Sequence, residues 1–301
     1  MDTVRNTFPE TSLPAAPVVG ILHPGAMGAA LGAALKPKAA AVLWAAEGRS
    51  RATSKRAEVA DLVAVRNVGD LVRRSDLVIS ICPPDAALDV AREVAAETPA
   101  GSRALYLDAN AVAPGTVREI GALLGADRVV DGAVIGAPPW REGTTVLHLS
   151  GPHAGAVAGL FAGTTLRVEV DGPDLGQASV VKACFALKSK ALPTLWLVLA
   201  AAAREYGVEA AVIAELGVDG VDLPAEVARI SRRATPKAWR WIGEMEEAAA
   251  AFAEIGLPDG YSSAAAEVYR RVAASVERSN PPDTEAVVTA VRPKHGGGIP
   301  A

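Results

Sequence analysis

Between residue 18 and about residue 170, short apolar runs alternate with segments whose apolar positions recur every three or four residues. Apolar runs bounded by turn signals predict buried strands, and the i, i+3, i+4 spacing predicts helices. The strands so predicted lie at 18–22, 41–44, 77–81, 104–107, 128–130, 146–149 and 166–170. Amphipathic helices are predicted between them, for example at 85–96 and 114–124. Such alternation predicts an α/β domain with a parallel, doubly wound sheet.

After Asp174 the alternation stops. One long helical pattern runs from about 176 to 206, and the chain stays helical to about 278, which puts a domain boundary near 171. The stretch 191–203 is apolar nearly all round and carries Pro193. It is too short to span a bilayer. A helix hydrophobic on every side is expected to be buried on every side, and a small helical domain needs a subunit interface to achieve that.

Composition narrows the partners. Half of the 301 residues are apolar, and a net charge of -4 argues against nucleic acid or an anionic membrane. Cys82 and Cys184 both sit in apolar runs, as reduced packing thiols would. His23, His148, His153 and His295 show no metal-ligand spacing, so no metal is expected. The N-terminus MDTVRNTFPETSLPAAP lacks an apolar core of signal-peptide length, and a cytoplasmic protein is expected.

Residues 18–35, VVGILHPGAMGAALGAAL, join the first strand to a small-residue helix through a glycine-rich turn. Such a turn lets backbone amides approach a pyrophosphate, and the helix N-terminus adds partial positive charge. Gly25 and Gly28 occupy the second and third glycine positions of a dinucleotide fingerprint, while His23 stands at the first and Pro24 follows it. With Ala26 and Met27 they form the expected cofactor turn; a ligand-free strand–turn–helix is the alternative. The second strand ends LWAAEGRSRATSKR. Where NAD-specific sites place an acid for the ribose 2′-hydroxyl, Ala45 and Ala46 follow Trp44, and then come Glu47, Arg49, Ser50 and Arg51. An arginine with a hydroxyl, beside Lys55 and Arg56, suits a 2′-phosphate and predicts NADP(H). A solvated basic helix start, or NAD held through Glu47, is the other reading.

Further strand ends carry polar or small residues. LVISICPP brings Cys82, Pro83 and Pro84 to the edge of the crevice where open α/β sheets bind ligands. LYLDANAVAPGT places Asp108 and Asn110 after a strand. Asn110 can orient a carbonyl or hydroxyl, because its amide both donates and accepts; its other reading is the N-cap of the helix opening near Pro114. DGAVIGAPPW, residues 131–140, is a strand-end loop of small residues with one large aromatic. Lys182 lies about two turns into the long helix among apolar neighbours. Lysines are almost never fully buried unpaired, so Lys182 is expected to face the cleft between the domains. Lys188 and Lys190 are weaker candidates, Lys190 reading as a snorkelling lysine.

At these residues the chain resembles the β-hydroxyacid dehydrogenase and 6-phosphogluconate dehydrogenase superfamily. GILHPGAMGAAL is similar to its cofactor turn, LDANAVAPGT to its substrate-binding Asp-x-Ser/Asn motif, VDGAVIGAP to its second substrate loop, and GQASVVK to the helix bearing its catalytic lysine. HPGAMG, EGRS, LDANAVAP and KAWRWIGEMEEAAAAFAEIGLPDGYSSAAAEVYRR resemble a clade whose C-terminal domain has no assigned function. The resemblance spans nearly all of residues 18–275 and implies a Rossmann-type domain followed by an all-α domain. The chain then reads as a disordered lead (1–15), an NADP-binding domain (16–171), a helical substrate and homodimerisation domain (172–280) and a tail (281–301).

What the resemblance implies is hydride transfer between nicotinamide C4 and a carbon of a small-molecule substrate. Lys182 would donate the proton to the developing alkoxide, Asn110 would orient the oxygen, and Gly136 would admit substrate close to the backbone. Trp140 and Trp241 would line an apolar pocket, or else pack in the core. The chain also departs from the family pattern. His23 replaces a fingerprint glycine, Ile135 stands where hydroxyacid enzymes carry serine, and Ala137 replaces a glycine. Phe185 and Ala186 replace asparagine, and Gly243 a cofactor-contacting lysine. Because the Ile135 loop binds the substrate carboxylate in the family, an apolar or bulky carbonyl is expected in place of a small hydroxy acid. Two other readings stay open: an imine reductase, disfavoured by the retained Lys182, and a non-catalytic NADPH-binding sensor.

Overall fold

The computed structural model describes residues 13–275 and 283–292. These fall into two compact units, one ending at Ala183 and the other beginning at Cys184.

In the first unit, strands β1 (Val18–Ile21), β2 (Ala41–Ala45), β3 (Val63–Val65), β4 (Leu77–Ser80), β5 (Leu105–Asp108), β6 (Val129–Gly136), β7 (Thr145–Ser150) and β8 (Arg167–Gly172) form one sheet in the order β3-β2-β1-β4-β5-β6-β7-β8. β1 to β6 run parallel, β7 is antiparallel to β6, and β8 is parallel to β7. The helices are α1 (Ala26–Leu35), α2 (Arg51–Val59), α3 (Val68–Arg74), α4 (Ala87–Glu97), α5 (Pro114–Leu124), α6 (Ala154–Phe161) and the start of α7 (Gln177–Ala186). Alternate strand residues face opposite sides, so Ile79 and Leu107 join Leu31 and Phe161 in one core, while Val78 and Tyr106 join Leu71 and Ile120 in the other. Two departures from the predicted elements have local causes. β3 is three residues long with two exposed, too short and too wet for an apolar-run signal. β6 continues through Gly132 and Gly136, because an antiparallel hairpin with β7 pairs the residues read as a loop.

The second unit contains α8 (Leu192–Glu205), α9 (Glu209–Val218), α10 (Leu223–Ala234), α11 (Ala238–Glu254), α12 (Gly260–Ser275) and α13 (Thr284–Val291). The expected tail therefore includes a helix, which buries Val287, Val288, Ala290 and Val291; residues 1–12 of the expected lead, and 281–282 and 293–301 of the expected tail, lie outside the described ones. Between α7 and α8 the chain makes a π-helical turn, Leu187–Ala191, in which the Leu192 N–H donates to Leu187 O. Pro193 follows and has no N–H to donate. Tyr269 Oη donates to Lys190 O at 2.8 Å, giving a carbonyl at this irregular turn a partner.

The continuous helix from Gln177 to Glu205 is long and apolar enough to cross a membrane by length and composition. It carries a part-buried ion pair, Lys190 with Glu244 of α11. The stretch 191–203, expected to need a subunit interface to be buried on every side, is covered by this chain on one side only. Leu192, Leu195, Val198 and Leu199 are exposed along one side, while Leu197, Ala200, Ala201 and Ala203 are buried on the other.

Candidate active site

The residues singled out after β1, β2, β4 and β5 lie at the C-terminal ends of parallel strands, where the first N–H groups of the following helices also lie. After β1, Gly25 is the N-cap of α1 and supplies no side chain to cap it, and a Cβ there would meet open space. Ala26 is exposed, Pro24 is buried, and Met27 packs against the core. Gly28 is required by sterics, since a Cβ would stand 2.3 Å from His23 O. His23 Nδ1 is buried without a partner among the described residues, and so is Nε of Arg49, after β2. Burial, and then the Arg49 charge, press the His23 imidazole down to about 4. Two orphaned polar atoms beside an uncapped helix start are what a bound dinucleotide would satisfy. Ser50 differs from expectation in that its hydroxyl caps α2 by accepting Thr53 N at 3.2 Å. Arg51, the first residue of α2, is exposed.

Ser80, Asp108, Asp131 and Ser150 sit side by side on β4, β5, β6 and β7. All four are fully buried. Around the first pair, Asn110 Nδ2 donates to Ser80 Oγ at 3.1 Å and to Asp108 Oδ2 at 2.8 Å, and Asn110 Oδ1 accepts the Cys82 N–H at 2.6 Å. Both N–H donors of that amide are thus committed to protein, and only 3 % of the residue is exposed. Asn110 therefore knits two strand ends together and has no donor left for a substrate oxygen. Nor is it the N-cap of α5, a place taken by Ala113. Burial, followed by the Asp108 charge, pushes the Cys82 thiol up to about 12. Pro83 is exposed, and the buried Pro84 opens a short 3₁₀ turn.

β6 runs past the parallel edge, so Val134, Ile135 and Gly136 project beyond it. Lys182 of α7 reaches this extension: its Nζ donates to Val134 O at 2.6 Å. Ile135 is half-buried there. Gly136 has φ 139° and lies against β7, where a Cβ would be 2.2 Å from Thr144 O. Trp140 is 51 % exposed, which rules out core packing for it. Trp241 is a core residue of the second unit, edge-on to Tyr269 and beneath Lys190 and Arg233. Lys190 does not snorkel, since it is paired with Glu244 and mostly buried.

Residues 203–272 match the family described as domain of unknown function (DUF1932). A curated relative, an uncharacterized 28.5 kDa protein from Methanothermus fervidus, is 30% identical over 162 residues. That match covers 54% of this chain and 61% of the relative, so it spans about three fifths of that protein's length. Among solved structures, the conserved protein MTH1747, described as similar to 3-hydroxyacid dehydrogenases, aligns with TM-score 0.61 and 25% identity over 85% of this chain and 96% of its own. The 3-hydroxyisobutyrate dehydrogenase of Mycobacterium tuberculosis aligns with TM-score 0.65 and 18% identity over 92% and 100%. The chain has the 3-hydroxyacid dehydrogenase fold. A reductive aminase from Aspergillus terreus, solved with NADPH and ethyl levulinate, shares the fold at TM-score 0.53 and 19% identity over 92% and 100%. Within this dehydrogenase fold, Asp131, Ser150 and Ser179 are the site residues that sequence reasoning passed over. Asp131 Oδ2 accepts from Gly176 N at 3.0 Å, Ser179 N at 2.9 Å and Ser150 Oγ at 3.0 Å, and Oδ1 accepts from Ser179 Oγ at 2.7 Å.

Proposed function

We propose that this chain is an NADP(H)-dependent oxidoreductase that reduces the carbonyl group of a small molecule, or oxidises the corresponding alcohol. The observation that carries the reading is Lys182, delivered by α7 to the end of β6, on the sheet whose β1 and β2 ends carry the uncapped turn and Arg49. The nicotinamide, when bound, supplies the hydride. The chain's own share is binding, orientation and the proton. Gly25 to Gly28 would cradle the pyrophosphate, and Arg49, with Arg51 and the capped start of α2, would meet the 2′-phosphate. Lys182 Nζ gives a proton to the substrate oxygen as charge develops there. Ile135 offers no hydroxyl to a carboxylate and Trp140 adds exposed aromatic surface, which favours apolar or bulky carbonyl compounds.

Reduction of C=N is the second reading, favoured by the shared fold of the reductive aminase. We further propose that the exposed Leu192, Leu195, Val198 and Leu199 side of α8 packs on a second copy of the chain in the cytoplasm, and that the partners include neither nucleic acid nor membrane. Sedimentation at micromolar concentration would then report twice the 30.8 kDa chain mass. The deciding experiment is oxidation of NADPH and of NADH over a panel of aldehydes, bulky ketones, small keto acids and cyclic imines. Turnover of bulky carbonyls with NADPH is expected. A preference for imines moves the second reading ahead, and NADPH binding without turnover points to a sensor.

A further inference from the structure

Asp131 takes no part in the scheme above, yet it is wholly buried and accepts four hydrogen bonds. Three of them come from Gly176 and Ser179, at the start of α7. The fourth comes from Ser150, whose Oγ in turn accepts the Ala178 N–H at 3.0 Å. A helix leaves its first N–H groups without internal partners. Here a carboxylate from β6 and a hydroxyl from β7 take three of them, with negative charge at the positive end of the helix. Burial pushes the Asp131 carboxyl upward, and the bonds from Ser179, Ser150 and Gly176 offset part of that cost.

The same strand and the same helix meet again one step further on. Three residues beyond Asp131 is Val134, three beyond Ser179 is Lys182, and these two are bonded through Lys182 Nζ. A lysine stem has four rotatable bonds, so its ammonium is placed only as well as the helix beneath it is fixed.

We propose that Asp131 is a positioning residue for Lys182: it fastens the first turn of α7 to β6 and thereby sets where Nζ is held beside the end of that strand. This rests on Lys182 being the proton donor, and the experiment separates the two ideas. The variants are Asp131→Asn, Lys182→Met and their combination, with Ser179→Ala and Ser179→Thr as milder members. Asparagine keeps the shape of Asp131 but turns one acceptor into an NH2 group facing donors. On the fastest carbonyl substrate, Asp131→Asn should lower kcat by about 10–10²-fold, the scale set by ångström misplacement. KM for NADPH should not move. In the Lys182→Met background the same change should cost nothing further.

Lys182→Met alone reports on the acid assignment; the double variant reports on positioning. A loss from Asp131→Asn that multiplies with Lys182→Met, or one confined to NADPH affinity, overturns the proposal. A second readout requires no turnover. Acetylation of Lys182 by acetic anhydride, read by peptide mass spectrometry against the exposed Lys188, should rise several-fold in Asp131→Asn and Ser179→Ala and stay at the wild-type level in Ser179→Thr. Should Asp131→Asn fail to fold, the two Ser179 variants decide: equal labelling in both overturns the proposal.

Discussion

Asn110 Oδ1 accepts the main-chain N–H of Cys82 at 2.6 Å, so the second residue after β5 fixes the loop after β4. With Ser80 and Asp108 on its other atoms, Asn110 holds together the buried polar row that underlies the site. Asn110→Ala would leave the buried Cys82 N–H without its acceptor and remove the amide that ties Ser80 Oγ to Asp108 Oδ2. Each unsatisfied buried group costs about 1–3 kcal/mol, so a loss of about 2–4 kcal/mol is expected from urea denaturation. A loss under about 0.5 kcal/mol, the scale of a neutral surface change, would mean that the network does not hold these strand ends.

The two cysteines should separate in reactivity. Burial, with Asp108 the next contributor, lifts the Cys82 thiol to about 12, whereas Cys184 is exposed and is not the packing thiol its apolar neighbours suggested. Thiolate is the nucleophile. Iodoacetamide at pH 8 should therefore modify Cys184 and leave Cys82 intact, as read by peptide mass spectrometry. Comparable labelling of both in the folded protein would contradict the burial of Cys82.

His23 makes stability fall on the acid side. Its folded imidazole is held at about 4 by burial and by Arg49, while the unfolded chain keeps the ordinary value of 6.5. Between those values the unfolded state takes up a proton that the folded state refuses, so stability is lost as pH drops through the window. Going from pH 7.5 to 5.0 should cost wild type about 1–2 kcal/mol more than it costs His23→Gln. Chemical denaturation of both proteins at the two pH values measures the difference, and parallel losses would show an imidazole that titrates normally.

The fold was legible because its signals are local. VVGI, LVIS and LYLD are short, mainly apolar runs, the first two followed within a few residues by proline and the third ended by an acid, and the helices between them carry their own periodicity. Lys182 was legible for the same reason, as a lone cation in an apolar helix. What could not be read depends on partners far away in sequence. Asn110 looks like a free amide until Cys82 and Ser80, 28 and 30 positions distant, occupy it. Asp131 reads as a loop acid until Gly176 and Ser179 arrive from 45 and 48 positions away. The available hint was its place before a glycine at a strand end, together with a serine one turn ahead of the lysine. The apolar side of α8 is a separate case, because hydropathy records the preference for burial and not what does the burying.

Arg49 should decide cofactor choice. Its Nε is buried without a partner among the described residues, beside the capped start of α2. A hydrogen bond to a charged group contributes about 1.5–3 kcal/mol, so Arg49→Ala should weaken NADPH binding by that amount. NADH, which lacks the 2′-phosphate, should bind nearly as before. Fluorescence titration of both cofactors gives the comparison, and equal losses would remove Arg49 from the 2′-phosphate.

Lys182→Met tests the chemistry itself. Nζ now donates to Val134 O at 2.6 Å, at the end of the strand that continues into Ile135 and Gly136. A substrate oxygen placed there would receive the proton from the same atom. Methionine keeps the apolar stem and removes the ammonium, so the core packing of α7 and the affinity for NADPH should barely change. A positioned general acid contributes about 10²–10⁴-fold, and kcat on a carbonyl substrate should fall by that factor. Lys190→Met is the control: Lys190 is committed to Glu244 in the second unit, and its loss should lower stability more than rate. Retention of more than about a tenth of wild-type kcat by Lys182→Met, under conditions where chemistry limits turnover, would exclude Lys182 as the acid. An iminium substrate, which already carries its proton, would then become the better fit to this site.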